Sequence, residues 1–382
     1  MGTNGITKLW SHDFWRICIA NFMLSVSLYM LWPILPIWMM SYYGATPLQA
    51  GGIMALFGVA LFILGPTFSY LVDTYKRKYI CLLAILIVTA ATGGFWVAGG
   101  LLFAAILRIV QGMMYGMALM ASGSTLVIDI AQSPRRTEAN NAFSWFGRFG
   151  LSIGPLAGLL LYESYQIKYV FIISCLLGLL SFICIAFIKI PFRAPLCPPM
   201  FSKDRFWLSN GWLMFINLLL VSIPTGILLA TIHSYVFYGI LMLGFWFSIL
   251  AIKFVFTDAD MRSEIVSGLI IYGSAMLLQI THNKEVAFYT SALFVGLGIG
   301  LIVPRILVFF IKLSEHCERG TANTSEAFGW ELGISIGFFI GYFLISNQSA
   351  FAAYGIVLIF LIIAMILYLT VTHPWYLKHK IR

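Results

Sequence analysis

Twelve apolar runs, each long enough to cross about 30 Å of hydrocarbon as a helix, succeed one another along this chain. They fall at about 14–40, 48–71, 79–98, 101–127, 139–162, 168–188, 211–231, 235–256, 265–281, 286–311, 322–346 and 351–371. In lipid every backbone N–H and C=O must find its partner inside the protein, so only helices and closed barrels span a membrane. Barrel strands alternate apolar and polar residues, whereas these runs are continuous. The chain is 61% hydrophobic and 10% charged, with mean hydropathy +0.94, which leaves too few polar residues to cover a soluble fold. The expected fold class is an all-α membrane protein of about twelve transmembrane helices. The polar stretch Met1 to His12 and the long first run do not fit a cleavable signal.

The runs divide six and six around residues 189–210, a stretch with four prolines and mixed charge that cannot span. Two other stretches are near copies. Arg136-Thr137-Glu138-Ala139-Asn140 leads to Gly150-Leu151-Ser152-Ile153-Gly154, and Arg319-Gly320-Thr321-Ala322-Asn323 leads to Gly333-Ile334-Ser335-Ile336-Gly337, offset by 183 positions throughout. A half-length repeat in a polytopic chain marks two related bundles. The expected domains are an N-terminal six-helix bundle (1–188), a linker (189–210) and a pseudo-symmetric C-terminal six-helix bundle (211–382). The same offset aligns Arg148 with Glu331, two charges deep in apolar runs.

With the N-terminus placed in the cytoplasm, 18 of the 23 Lys and Arg fall in loops, tails and span ends on that side. Only Lys168 and Lys284 fall opposite, and Arg108, Arg148 and Arg305 lie within spans. This bias predicts that both termini are cytoplasmic, most simply in a bacterial inner membrane. It also absorbs the net charge of +9, so the basic loops answer topology and anionic lipid rather than nucleic acid. The six cysteines are scattered without Cys-x-x-Cys spacing, and neither a metal nor a cofactor is expected.

The second run ends Gly65-Pro66-Thr67-Phe68-Ser69-Tyr70-Leu71-Val72-Asp73-Thr74-Tyr75-Lys76-Arg77-Lys78. This resembles the loop 2–3 signature G-x-L-a-D-r-x-G-r-k of the major facilitator superfamily. Leu71, Asp73, Arg77 and Lys78 fit it, while Ser69 and Lys76 replace glycines and Thr74 replaces an Arg. The fourth run, Arg108-Ile109-Val110-Gln111-Gly112, resembles the family's R-x-x-q-G signature. The fifth, Gly150 to Gly158 with Gly154-Pro155, resembles the g-x-x-x-G-P-x-x-G-g signature associated with antiporters, with Leu159 in place of the last Gly.

The resemblance implies a secondary transporter working by alternating access. It implies a cytoplasmic gate latch in which Asp73 faces the N-terminus of the eleventh helix, near Thr321, where free N–H groups favour an anion, and Arg77 reaches Asp129. Asp258-Ala259-Asp260-Met261-Arg262 has the same acid-to-Arg spacing of four and is a candidate second copy of the latch. Gly150, Gly154 and Gly158 share one helix face, and Pro155 adds a bend; the resemblance implies that this face packs between helices of the two halves.

Charges inside a membrane are costly and normally face a cavity or a partner. Arg108, Arg148 and Glu331, with Gln111, Trp145 and Trp330, are therefore the candidate cavity residues, and Arg305 is read as snorkelling. Glu331 is either a proton-exchanging carboxyl or one half of a permanent ion pair with Arg148 or Arg108. The first helix offers Asn21 but no central carboxylate. The expected function is proton-coupled efflux of an amphipathic or drug-like compound by a monomer. The alternative is uptake or exchange of a small anionic metabolite or sugar, and a transporter-like sensor is a more distant one. No Asp-rich metal motif supports a membrane-embedded enzyme.

Overall fold

A computed structural model describes residues 9–190, 199–257, 259–282, 284–315, 317–347 and 352–381. Asp258 of the candidate second latch copy lies outside the described residues, as does part of the linker.

The described residues form twelve helical spans. In the first half they are α1 (His12–Tyr43), α2 (Pro47–Ile63 continued by Gly65–Thr74), α3 (Arg77–Val97), α4 (Leu101–Ile130), α5 (Arg136–Ser164) and α6 (Ile167–Ala186). In the second they are α7 (Ser209–Thr231), α8 (Tyr235–Phe254), α9 (Met261–Thr281), α10 (Glu285–Leu313), α11 (Arg319–Ser346) and α12 (Ala352–His379). Ten of these are long and apolar enough to cross a membrane by composition alone, and α2 joins them across its 52° bend. The exception is α5, whose 29 residues include Asn140, Asn141, Ser144 and Arg148. Its polarity is the first sign that it lines something other than lipid.

The irregularities have local causes. α1 passes through a turn at Met30–Pro33, where Pro33 has no N–H to offer the helix. It ends on Gly44 in the left-handed region (φ 66°), a conformation that costs glycine no Cβ clash. Thr46 then opens α2 with a capping box to Gln49. α2 bends where Gly65-Pro66 interrupts it. α4 widens into a π-helical segment at Ser122–Leu126, a feature that often marks functional positions.

Packing repeats with the sequence. In the first half α1 packs on α5 and α6, α4 on α2 and α3, and α3 on α6; in the second α7 packs on α11 and α12, α10 on α8 and α9, and α9 on α12. Each pairing recurs six helices later, so the two six-helix bundles are pseudo-symmetric copies. The bundles meet along α2 with α11 and along α5 with α8, again a symmetric exchange.

The glycine stripe of α5 sits differently from the expectation. A Cβ on Gly150 would come 2.5 Å from Ser25, on Gly154 2.6 Å from Tyr29, and on Gly158 2.4 Å from the Met30 carbonyl. The stripe therefore packs on α1 inside its own bundle. Its repeat copies Gly333, Gly337 and Gly341 press α7 in the same way. The contact between halves uses the opposite face of α5, where Ser152 donates to the Tyr238 carbonyl at 2.6 Å.

Candidate functional site

Four helices, α1, α4, α5 and α11, converge on a small cavity of about 60 Å³ between the bundles, with α4 contributing Tyr115 and Leu119. α1 contributes Asn21, Ser25 and Tyr29, spaced every four residues on one face. α5 contributes Ser144 and Arg148. α11 contributes Asn323, Glu326, Ala327, Trp330 and Glu331, the i, i+3, i+4, i+7, i+8 pattern of a single helix stripe.

The polar groups of this cavity are held across the bundle interface. Arg148 Nη2 donates to Glu326 Oε1 at 2.7 Å, with both side chains 4% exposed. Tyr29 Oη donates to Glu331 Oε1 at 2.7 Å. Arg148 Nη1 and Glu331 Oε2 have no hydrogen-bond partner among the described residues. The cavity thus presents an unpaired cationic donor and an unpaired carboxyl oxygen, walled by Tyr29, Tyr115, Phe143 and Trp330. Asn21 fixes one wall by donating to the Phe143 carbonyl at 2.9 Å, tying α1 to α5.

Three of the six sequence candidates, Arg148, Glu331 and Trp330, line this cavity, and three do not. Arg108 is fully buried behind it, its guanidinium 5.0 Å from the Trp32 ring and 4.8 Å from the Phe57 ring. Its Nη1 donates to Gln111 Oε1 at 3.0 Å, and Gln111 donates onward to Thr92 Oγ1 at 2.8 Å. Both residues thus serve a network apart from the residues that line the cavity. Trp145 faces α8, with its ring 6.1 Å from that of Phe245.

Of the two alternatives for Glu331, the ion pair with Arg148 is not formed: Arg148 pairs with Glu326, an acid absent from the sequence candidates. Glu326 stands five positions nearer the helix start than Glu331, and the signal that could have found it is its place on the same stripe as Asn323 and Trp330. Arg305 makes an ion pair with buried Glu264 in the first turn of α9.

A second cluster lies at the face that carries the Lys- and Arg-rich loops. Arg77 donates to Asp129 at 2.8 Å and to Asp73 at 3.3 Å. The closest partner of Asp73 is Arg205 of the linker, whose Nε donates to both carboxylate oxygens at 2.6 and 2.7 Å. Nothing in the sequence pattern separates Arg205 from the other topology charges of that segment. Among the described residues no group of three or more His, Cys, Asp and Glu is placed to hold a metal ion.

The model of the Major Facilitator Superfamily matches residues 17–259. No curated protein sequence matches the chain. Among solved structures the chain is similar to the human organic anion transporter MFSD10 (TETRAN), with TM-score 0.71 and 14% identity over 93% of this chain and 98% of that one. It is also similar to a bacterial homolog of the human lysosomal transporter Spinster in an inward-facing, unoccupied conformation, with TM-score 0.69 and 11% identity over 99% of this chain and 100% of that one. At these identities the likeness is one of fold. With the family model covering well over half of the sequence and the six-plus-six architecture it describes, the chain belongs to the Major Facilitator Superfamily.

Proposed function

We propose that this protein is a proton-coupled secondary transporter that exports an amphipathic compound by alternating access. The rocking units are residues 1–188 and 211–382, and both termini lie in the cytoplasm of a bacterial inner membrane, where the protein works as a monomer. The observation that carries the reading is the state of Glu331. Its carboxyl is almost fully buried between the bundles, one oxygen is held by Tyr29 from the opposite half, and the other has no described partner. A carboxyl so placed exchanges its proton with whichever side the bundles open, because rocking α11 away from α1 breaks the Tyr29 contact and admits water. Aromatic walls around one carboxyl left outside the Arg148–Glu326 pair suit a ligand with an apolar body and a small polar head.

The cavity of about 60 Å³ is far smaller than the ~300 Å³ and more that drug-sized ligands fill. A substrate of that size therefore needs the halves to part further.

The test is reconstitution into vesicles carrying a pH-sensitive dye, with a substrate screen across an imposed pH gradient. Glu331→Gln is expected to abolish pH-driven flux while leaving substrate exchange. Persistence of pH coupling in that variant makes Glu331 structural and overturns the proton assignment.

A second reading is transport of an organic anion, favoured by the unpaired Arg148 Nη1 in the cavity and in keeping with the fold shared with a human organic anion transporter. Matched pairs of carboxylates and their neutral esters in the same screen separate the two. Preference for the carboxylate, lost in Arg148→Gln, selects the anion reading.

A further inference from the structure

The linker does more than join the two bundles. Residues 200–208 run between the end of α2 and the beginning of α11 and bond to both. Ser202 N donates to the Pro66 carbonyl at 3.4 Å. Leu208 N donates to Ser325 Oγ at 2.8 Å, and that hydroxyl donates to the Phe206 carbonyl at 3.1 Å. The Phe206 ring is packed edge-on to Phe62 of α2 and Phe328 of α11, at 5.3 and 5.9 Å. Gly65 leaves room for it: a Cβ there would come 2.2 Å from the ring.

Arg205 is the centre of this strap, because one residue touches three elements. Its Nε grips both oxygens of Asp73 on α2, its backbone N–H donates to Thr321 Oγ1 on α11 at 3.0 Å, and Nη1 reaches the Ser124 carbonyl of the π segment of α4 at 3.4 Å. It is the one described non-glycine residue with positive φ, at 56°. A β-carbon disfavours that conformation, so the surrounding contacts must hold it there. The strain and the contacts share a cause: the left-handed turn aims the N–H at α11 while the side chain doubles back to α2.

We infer that Arg205 is a gate residue, a linker-borne bolt that holds the bundle ends together at the basic face and must withdraw from Asp73 and Thr321 before that face opens. The inference rests on the alternating-access reading. It adds a third party to the latch, since Asp73 answers the linker's guanidinium as well as Arg77. Asp73 and Thr321 sit on opposite bundles, so rocking cannot separate them while Arg205 bridges both.

The experiment measures the gate itself and needs no substrate. Spin labels are placed at Tyr75→Cys and at the exposed native Cys317, in the full chain with the remaining cysteines replaced, and the distance between them is read in vesicles by pulsed electron resonance. Arg205→Gln is expected to raise the ratio of long to short separations roughly tenfold, and Arg205→Lys to restore part of the short population. Thr321→Ala, which keeps every charge, is expected to shift the ratio the same way by a smaller factor, and it serves if Arg205→Gln does not reach the membrane. In combination with Asp73→Asn, Arg205→Gln should add little, because both break one contact. An unchanged distribution in Arg205→Gln and Thr321→Ala, with Asp73→Asn alone opening the gate, overturns the bolt and leaves the Asp73–Arg77–Asp129 latch standing. A single immobile distance in every variant, including Asp73→Asn, overturns alternating access instead.

Discussion

Arg148 and Glu326 show what one buried pair demands of its neighbours. Each is 4% exposed, and they come from different bundles. Taking two charges out of water is costly, and removing one partner leaves the other uncompensated, at ~3–5 kcal/mol. Arg148→Gln and Glu326→Gln are each expected to lower the thermal midpoint in detergent clearly, and the double variant to recover more than half of the loss. Simple addition of the two losses would mean that the pair is not coupled. At this scale the sequence is partly legible. The repeat places Arg148 and Glu331 at one depth, and both reach the cavity. It cannot show that Arg148 turns to Glu326, because a guanidinium chooses between acids by side-chain reach and helix rotation. Arg108 and Gln111 stand away from the expected cavity for the same reason: hydropathy gives the depth of a charge, not the side of the wall on which it stands.

Helices are the most legible elements, since a run of apolar residues long enough to cross hydrocarbon has no other way to satisfy its backbone. The small-residue stripes are legible only in part. Glycines every four residues announce that some helix comes close, without saying which. Here they press α5 on α1 and α11 on α7, and a Cβ at Gly337 would lie 2.0 Å from the Ile223 carbonyl. Backbone cannot yield as a flexible side chain can, so Gly337→Ala should destabilise the protein by about 1–3 kcal/mol. Gly355 on α12 has nothing within 4 Å of its Cβ position, and Gly355→Ala should be neutral or mildly stabilising through helix propensity. Thermal unfolding in one detergent compares the two; equal losses would show that close approach is not what the stripe supplies.

At the scale of the whole molecule, charged groups tie the bundles at two places, the Arg148–Glu326 and Tyr29–Glu331 contacts in the cavity and the Asp73 cluster at the basic face. Asp73 accepts from Arg77 and from Arg205 and is 7% exposed. Asp73→Asn keeps the shape and removes the charge that both guanidiniums answer. Transport in reconstituted vesicles is expected to fall about tenfold or more with membrane insertion unchanged, and full transport in that variant would remove the cluster from the gate.

The sequence by itself determined the solvent, the helices, the six-plus-six division and the family, because each follows from constraints that run along the chain: apolar length, the position of prolines and the 183-residue offset. Only the tertiary structure decided which polar groups meet across the bundles and the linker. Arg148 finds Glu326, Tyr29 finds Glu331, and a linker arginine finds Asp73, since each contact depends on how helices from two bundles are rotated and set in depth to within an ångström or so. No period in the sequence carries that information.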